Sequence, residues 1–257
     1  MEALESALRA RRDAGGKAFV PYVTGGYPGV DAGLLRALVD TGADAIEVGV
    51  PHSDPVMDGG VIQQASRASL DAGTHPADVL ATIGQASLHV PVAVMTYVNP
   101  VLRRGVDAFL DEAAASGVTG MIVPDLPVDE SGEFEAACAR HHIDAVLLAA
   151  PGSSSDRLAS IGGRAHGFVY CVATYGVTGA REVLSASARP LVEALRPATD
   201  LPLLVGVGIG TPEQAAEACG FADGVIVGSA LIAHLVEGDR DGMLDLAHDF
   251  RTVIDAS

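Results

Sequence analysis

Two hydrophobic rhythms alternate along this chain. Short apolar runs rich in Val, Ile, Leu and Ala are nearly unbroken, as strands buried on both faces are. They are AFVPYV (Ala18–Val23), AIEVGV (Ala45–Val50), VAVMTY (Val92–Tyr97), GMIVP (Gly120–Pro124), AVLLAA (Ala145–Ala150), FVYCVA (Phe168–Ala173), PLLVGV (Pro202–Val207) and GVIVGS (Gly224–Ser229). Between them, apolar residues recur at helical spacing, as in VDAFLDEAAASG and PEQAAEACGF. Strand–helix alternation implies parallel strands joined by right-handed crossovers. Eight such units in 257 residues predict one domain, a closed α/β (β/α)8 (TIM) barrel spanning the chain, with an open doubly wound sheet as the alternative. The leading MEALESALRARRDAGG reads as an extra N-terminal helix of mixed charge, placed to cover the barrel bottom.

Composition narrows the picture. Trp is absent and aromatics are scarce, so aliphatic side chains must fill the core. The formal net charge is −17, and no basic patch stands out, which argues against nucleic acid and anionic membrane surfaces as partners. An anionic small substrate would have to be held by backbone N–H groups or helix N-termini. Cys138, Cys171 and Cys219 are odd in number and lack CxxC spacing, as expected of free thiols in a reducing compartment. The first residues lack the apolar run of a secretory signal, and no stretch reaches the length of a membrane span. The expectation is a cytoplasmic protein.

Barrels of this kind work at the carboxyl ends of their strands, so candidate chemistry is sought there. Glu47 stands inside the apolar second run, where a carboxylate is costly unless paired, solvated or protonated. It is either a structural glutamate bonded to backbone or an acid/base. The loop after it carries Asp54 and Asp58 among Pro51, Pro55, Gly59 and Gly60; an Asp in such a loop can equally be a turn residue. Two carboxyls in unlike surroundings can divide acid/base work and substrate orientation. Late in the chain, Gly208 and Gly210 follow strand seven, and Gly228 and Ser229 end strand eight and open a short helix. That is where barrels often bind a phosphate, although such glycines also make plain turns. TYGVTGAREVLSASARP, after strand six, is long and rich in small residues, as a substrate-closing lid or an ordinary surface loop would be. His141 and His142 are adjacent and point apart on a helix, and no metal-ligand spacing occurs, so no metal is expected.

FVPYVTGGYP, ADAIEVGVPHSDPVMDG with IQ after it, MTYVNPV, GMIVPDLPVDES, YGVTGARE and VGVGIGTPEQ with ADGVIVGSA resemble tryptophan synthase alpha chains, in order and over nearly the whole chain. The resemblance implies a carbon–carbon lyase of tryptophan biosynthesis that splits indole-3-glycerol phosphate into indole and glyceraldehyde 3-phosphate. By that likeness Glu47 is the general acid that protonates indole C3, and Asp58 accepts a hydrogen bond from the indole N–H. Tyr170 lines the indole pocket, Thr178 supports the aspartate, and Gly179, Gly208, Gly228 and Ser229 bind the phosphate. No cofactor is implied for this chain; pyridoxal phosphate belongs to the family's beta chain. That beta chain is the implied partner, in an alpha2beta2 heterotetramer, contacted through Pro51, Asp54, Pro55 and Asn99. The alternatives are a stand-alone lyase releasing free indole and a catalytically weak subunit kept to activate a beta chain. Three positions depart from the family: Gly60 stands in place of Pro, Thr174 in place of Arg, and His52 in place of Phe.

Overall fold

The computed structural model describes residues 3–172 and 186–257. Its strands are β1 (Ala18–Thr24), β2 (Ile46–Gly49), β3 (Val92–Met95), β4 (Gly120–Ile122), β5 (Asp144–Ala149), β6 (Val169–Val172), β7 (Leu203–Gly206) and β8 (Gly224–Val227). Each pairs in parallel with the next, and β8 returns to β1, so the sheet closes into a barrel in sequence order. The predicted (β/α)8 fold is therefore present, and the open-sheet alternative is not. Six of the strands are shorter than their apolar runs, while β1 runs one residue further and β5 is shifted by one. In the third run, Tyr97 leaves the sheet to cap a helix; in the fourth, Pro124 has no N–H to give a ladder; in the eighth, Ser229 already begins a helix.

The helices are α1 (Leu4–Asp13), α2 (Ala32–Asp40), α3 (Gly60–Asp71), α4 (Pro76–Ala86), α5 (Val98–Arg104), α6 (Val106–Ala115), α7 (Gly132–Arg140), α8 (Ser155–Arg164), α9 (Ala188–Leu195), α10 (Pro212–Cys219), α11 (Ser229–Val236) and α12 (Arg240–Asp255). Local chemistry sets several of their starts. Asp31, Ser154 and Asp239 accept a first-turn N–H at the heads of α2, α8 and α12, and Thr211 does so one residue before Pro212. Their apolar stripes close one core layer around the outside of the barrel.

A second core lies inside the barrel, and its period of two decides which side chains can reach the mouth. Val20, Ala45, Ala93, Phe168, Leu204 and Ile226 all belong to that inner cluster. Two residues further on, Tyr22, Glu47, Met95, Tyr170 and Gly228 line the cavity at the mouth. The inner layer is closed below by α1, whose Leu4 and Leu8 are fully buried within it. Leu4 fits because Gly120 and Gly167 carry no side chain: a Cβ on either would press against its methyl. Polar ties hold the helix down. Glu5 N donates to Asp144 Oδ2 at 2.9 Å, Gly167 N donates to Glu5 Oε2 at 3.3 Å, and Arg9 reaches Asp200 at 2.7 Å. The expected helix at the barrel bottom is thus an inserted plug. Among the described residues, no helix is long and apolar enough to cross a membrane.

Removing the plug's anchor tests this packing. Leu4→Ala should lower unfolding stability by roughly 2–5 kcal/mol, the usual cost of a buried leucine. Urea denaturation measures it, and a loss under about 0.5 kcal/mol would mean that the helix is not inserted.

Candidate active site

The barrel mouth holds a cavity of about 310 Å³. Two tyrosine–glycine pairs shape it. Tyr22 on β1 leans across Gly49 on β2, and Tyr170 on β6 leans across Gly206 on β7. In each case a Cβ on the glycine would overlap the phenol ring, so glycine at that strand end is a steric requirement. Met95, Ile122, Leu148 and Val172 complete an apolar wall of the size and kind that takes a flat aromatic ring.

Glu47 projects from β2 into this wall. It is 1% exposed, and its Oε2 has no hydrogen-bond partner among the described residues. Burial, helped by the charge of Asp58, pushes its carboxyl up to about 8. Asp58 is buried as well but better supplied. Burial raises it to about 6, against the pull of the Tyr97 hydroxyl, which donates to Asp58 Oδ2 at 3.3 Å. At neutral pH the two therefore differ in state: Glu47 carries a proton it can give, and Asp58 carries charge.

The loop from β2 to α3 is built to present Asp58. Val56 N bonds Asp54 O and Asp58 N bonds Pro55 O, each at 3.0 Å, so the chain turns twice on itself. Gln63 Nε2 donates to the Asp58 carbonyl at 2.9 Å, and the neighbouring Ile62 lines the cavity, which gives the IQ pair its physical purpose. Tyr97 accepts from Met57 N at 3.0 Å while donating to Asp58. Gly60 is the first residue of α3, and nothing lies within 4 Å of where its Cβ would stand. A side chain there would meet nothing at its Cβ, so glycine adds freedom to the loop without answering a steric need.

Across the mouth, β7 is followed at once by Val207 at φ +67° and Gly208 at φ +96°. A β-branched residue in the left-handed region is strained by about 1–3 kcal/mol, and such strain gathers at functional sites. α11 begins beside it, with Gly228 as its N-cap and Ser229 as its first residue. Gly228 stays small because Tyr22 lies against it. The first-turn N–H groups of α11 have no intrahelical acceptor and carry the positive end of the helix dipole. No Lys or Arg is among the described residues lining the cavity.

The structure thus brings Glu47, Asp58, Tyr170, Gly208, Gly228 and Ser229 around one cavity. Gly210 lines it as well, but its N–H already donates to Gln214 Oε1 at 2.7 Å. Thr178 and Gly179, the departure at Thr174 and most of the expected lid lie outside the described residues. Of the expected contact positions, Asp54 and Asn99 are exposed, Pro55 is half-buried and Pro51 is buried. The sequence reading gave no role to Tyr22 or Tyr97, although both stood in quoted motifs. It also did not single out Val56, Met57 and Leu102, which are 64%, 41% and 58% exposed on the β2 loop and α5.

Fold and site together define a (β/α)8 barrel organised around the carboxyl ends of its strands. The family model for the tryptophan synthase alpha chain matches residues 8–252. A tryptophan synthase alpha chain of Synechococcus elongatus is 43% identical over 99% of this chain and 98% of its own length. One of Mycobacterium avium is 47% identical over 94% of this chain and 90% of its own. A solved Mycobacterium tuberculosis tryptophan synthase superposes with TM-score 0.92 at 42% identity, covering 99% of each chain. The tryptophan synthase subunit alpha of Legionella pneumophila gives 0.88 at 33%, covering all of both chains. The chain belongs to the tryptophan synthase alpha chain family.

The electrostatics of Glu47 carry a testable sign. Its folded carboxyl holds a proton that the unfolded one gives up near 4.5. The native state therefore binds more protons between pH 4.5 and about 8, and folding stability contributed at this position falls as pH rises through that window. Glu47→Gln should escape the loss, and its stability relative to the unsubstituted chain should grow by roughly 4 kcal/mol from pH 4.5 to 8.5, one pKa unit being about 1.4 kcal/mol. Urea midpoints at the two pH values read it; a pH-independent difference would show that Glu47 is not buried neutral.

Proposed function

We propose that this chain, acting as one catalytic domain, cleaves indole-3-glycerol phosphate to indole and glyceraldehyde 3-phosphate. The observation that carries this is a fully buried carboxyl, Glu47, with an oxygen unpartnered among the described residues, facing an apolar aromatic-sized pocket with a second carboxyl, Asp58, at the same mouth. The indole ring lies between Tyr170 and the aliphatic wall. Its phosphate is held by the N–H groups of Gly208, Gly228 and Ser229, which position the substrate without chemistry. By the family likeness, Gly179 also binds the phosphate and Thr178 supports Asp58.

Glu47 gives its proton to indole C3, leaving the ring cationic. Asp58 accepts the indole N–H and stabilises that charge as it develops. The carbon–carbon bond then breaks: its electron pair returns to the ring, and the attached glycerol carbon becomes the aldehyde. The hydroxyl proton lost there can go back to the Glu47 carboxylate, which resets the acid. Neither a metal nor an organic cofactor is required in this sequence.

The partner reading follows from the same face. Val56 and Met57, on the loop that carries Asp58, and Leu102 on nearby α5 expose apolar surface beside Asp54, Pro55 and Asn99. Such surface favours a beta chain docked over the mouth, in an alpha2beta2 assembly in the cytoplasm, above a stand-alone lyase. Docking would narrow the motion that Gly60 allows and receive indole directly.

Indole release from indole-3-glycerol phosphate tests both parts. Glu47→Gln should lose about 10²–10⁴-fold in turnover while substrate still binds, the usual range for a general acid. Turnover of the unsubstituted enzyme should fall below pH about 6, as Asp58 gains a proton, and above about 8, as Glu47 loses its own. A cognate beta chain should raise the rate on titration. A Glu47→Gln enzyme at half activity would overturn the acid assignment, and a flat titration with high activity from the start would favour the stand-alone lyase.

A further inference from the structure

We infer that His52 is a positioning residue for Asp58, fixing both the start of the β2 loop and the ring that anchors its end. This rests on the role of Asp58 given above.

Asp58 sits six residues beyond His52, and its carboxylate takes its side-chain hydrogen bond from Tyr97. Tyr97 can hold that carboxylate in one place only if its own ring is held. The imidazole of His52 lies against it, ring centroids 4.6 Å apart and planes tilted by 32°. The same imidazole accepts a hydrogen bond at Nδ1 from Asp54 N, at 3.1 Å. Accepting from a backbone N–H requires that Nδ1 be bare, so the ring proton sits on Nε2.

The contacts then form a closed circuit. His52 holds Asp54; Asp54 O holds Val56 N; Pro55 O holds Asp58 N; Tyr97 holds Asp58 and Met57; and His52 packs on Tyr97. Beyond the ring, Val98 N donates to Asp125 Oδ1 at 2.9 Å, which ties the head of α5 to the β4 loop and fixes the platform under Tyr97. His52 is the one side chain named in this circuit that touches both the loop's early turn and Tyr97. A loop freed at either point holds its carboxylate in register for a smaller fraction of the time, and turnover falls with that fraction.

The imidazole's two contributions can be separated. His52→Phe keeps a ring on Tyr97 and removes the acceptor. His52→Asn keeps an acceptor near the Nδ1 position and removes the ring. His52→Ala removes both. Indole release by the full chain should fall about 3-fold in kcat for each of the first two and roughly 10-fold for His52→Ala, the range expected from losing one or two modest contacts. KM should stay within about 2-fold, because the phosphate cradle is untouched.

A structural defect would not distinguish Tyr97 from any other neighbour, so the cycle with Tyr97→Phe is the decisive readout. In the Tyr97→Phe background, where the bond to Asp58 is gone, His52→Ala should cost clearly less than in the unsubstituted one. An undiminished cost there, or unsubstituted kcat in His52→Ala, would overturn the inference. Asp58→Asn is measured alongside. If it is inactive and His52→Ala is not impaired, the positioning role alone falls; if Asp58→Asn keeps more than half the turnover, the reading of the site falls with it.

Discussion

A carboxyl group buried on the inner face of β2, with one oxygen unpartnered among the described residues, sets the terms for the rest of this barrel. An ionised carboxylate there would lose its hydration with nothing to replace it, so burial keeps the group protonated at neutral pH. That holds only while water is excluded and no cation comes near. Plugging from below by Leu4 and Leu8, aliphatic packing along the inner strands and the two tyrosines at the mouth all serve that exclusion. The absence of Lys and Arg from the described cavity lining fits the same constraint, because a cation beside Glu47 would ionise it. Anion binding is left to neutral donors at the head of α11.

The second carboxyl needs the opposite treatment, and the structure supplies it from a different kind of element. Asp58 is carried by a loop that Gln63 steadies through the Asp58 backbone carbonyl, and the Tyr97 hydroxyl donates to its carboxylate, so its charge survives burial. Rigid strand for the acid and adjustable loop for the charged partner is a division with consequences. The strand's geometry is fixed by the barrel, whereas the loop's depends on a few hydrogen bonds worth about 1 kcal/mol each, and so responds to whatever docks on its exposed Val56 and Met57.

Much of this was legible in the sequence. Short, nearly unbroken apolar runs alternating with helical spacing marked all eight strands to within a few residues, and the one glutamate inside such a run marked Glu47. What remained unread was relational. Tyr22 and Tyr170 earn their places only beside Gly49 and Gly206 on neighbouring strands, and Tyr97 matters because a loop from another unit folds back onto it. Such pairings are set by barrel closure, which no local window of residues contains. The burial of Pro51, expected at a contact surface, has the same origin: the packing of the β2 loop decides it, not the residue type.

The neutrality of Glu47 is the claim on which the mechanism stands, and infrared spectroscopy observes it directly. Difference spectra of the unsubstituted protein against Glu47→Gln at pH 7 should contain the carbonyl band of a protonated carboxyl, and that band should vanish as pH rises through about 8. A spectrum at pH 7 that holds only the carboxylate bands of an ionised glutamate, titrating in the ordinary range near 4.5, would contradict the account.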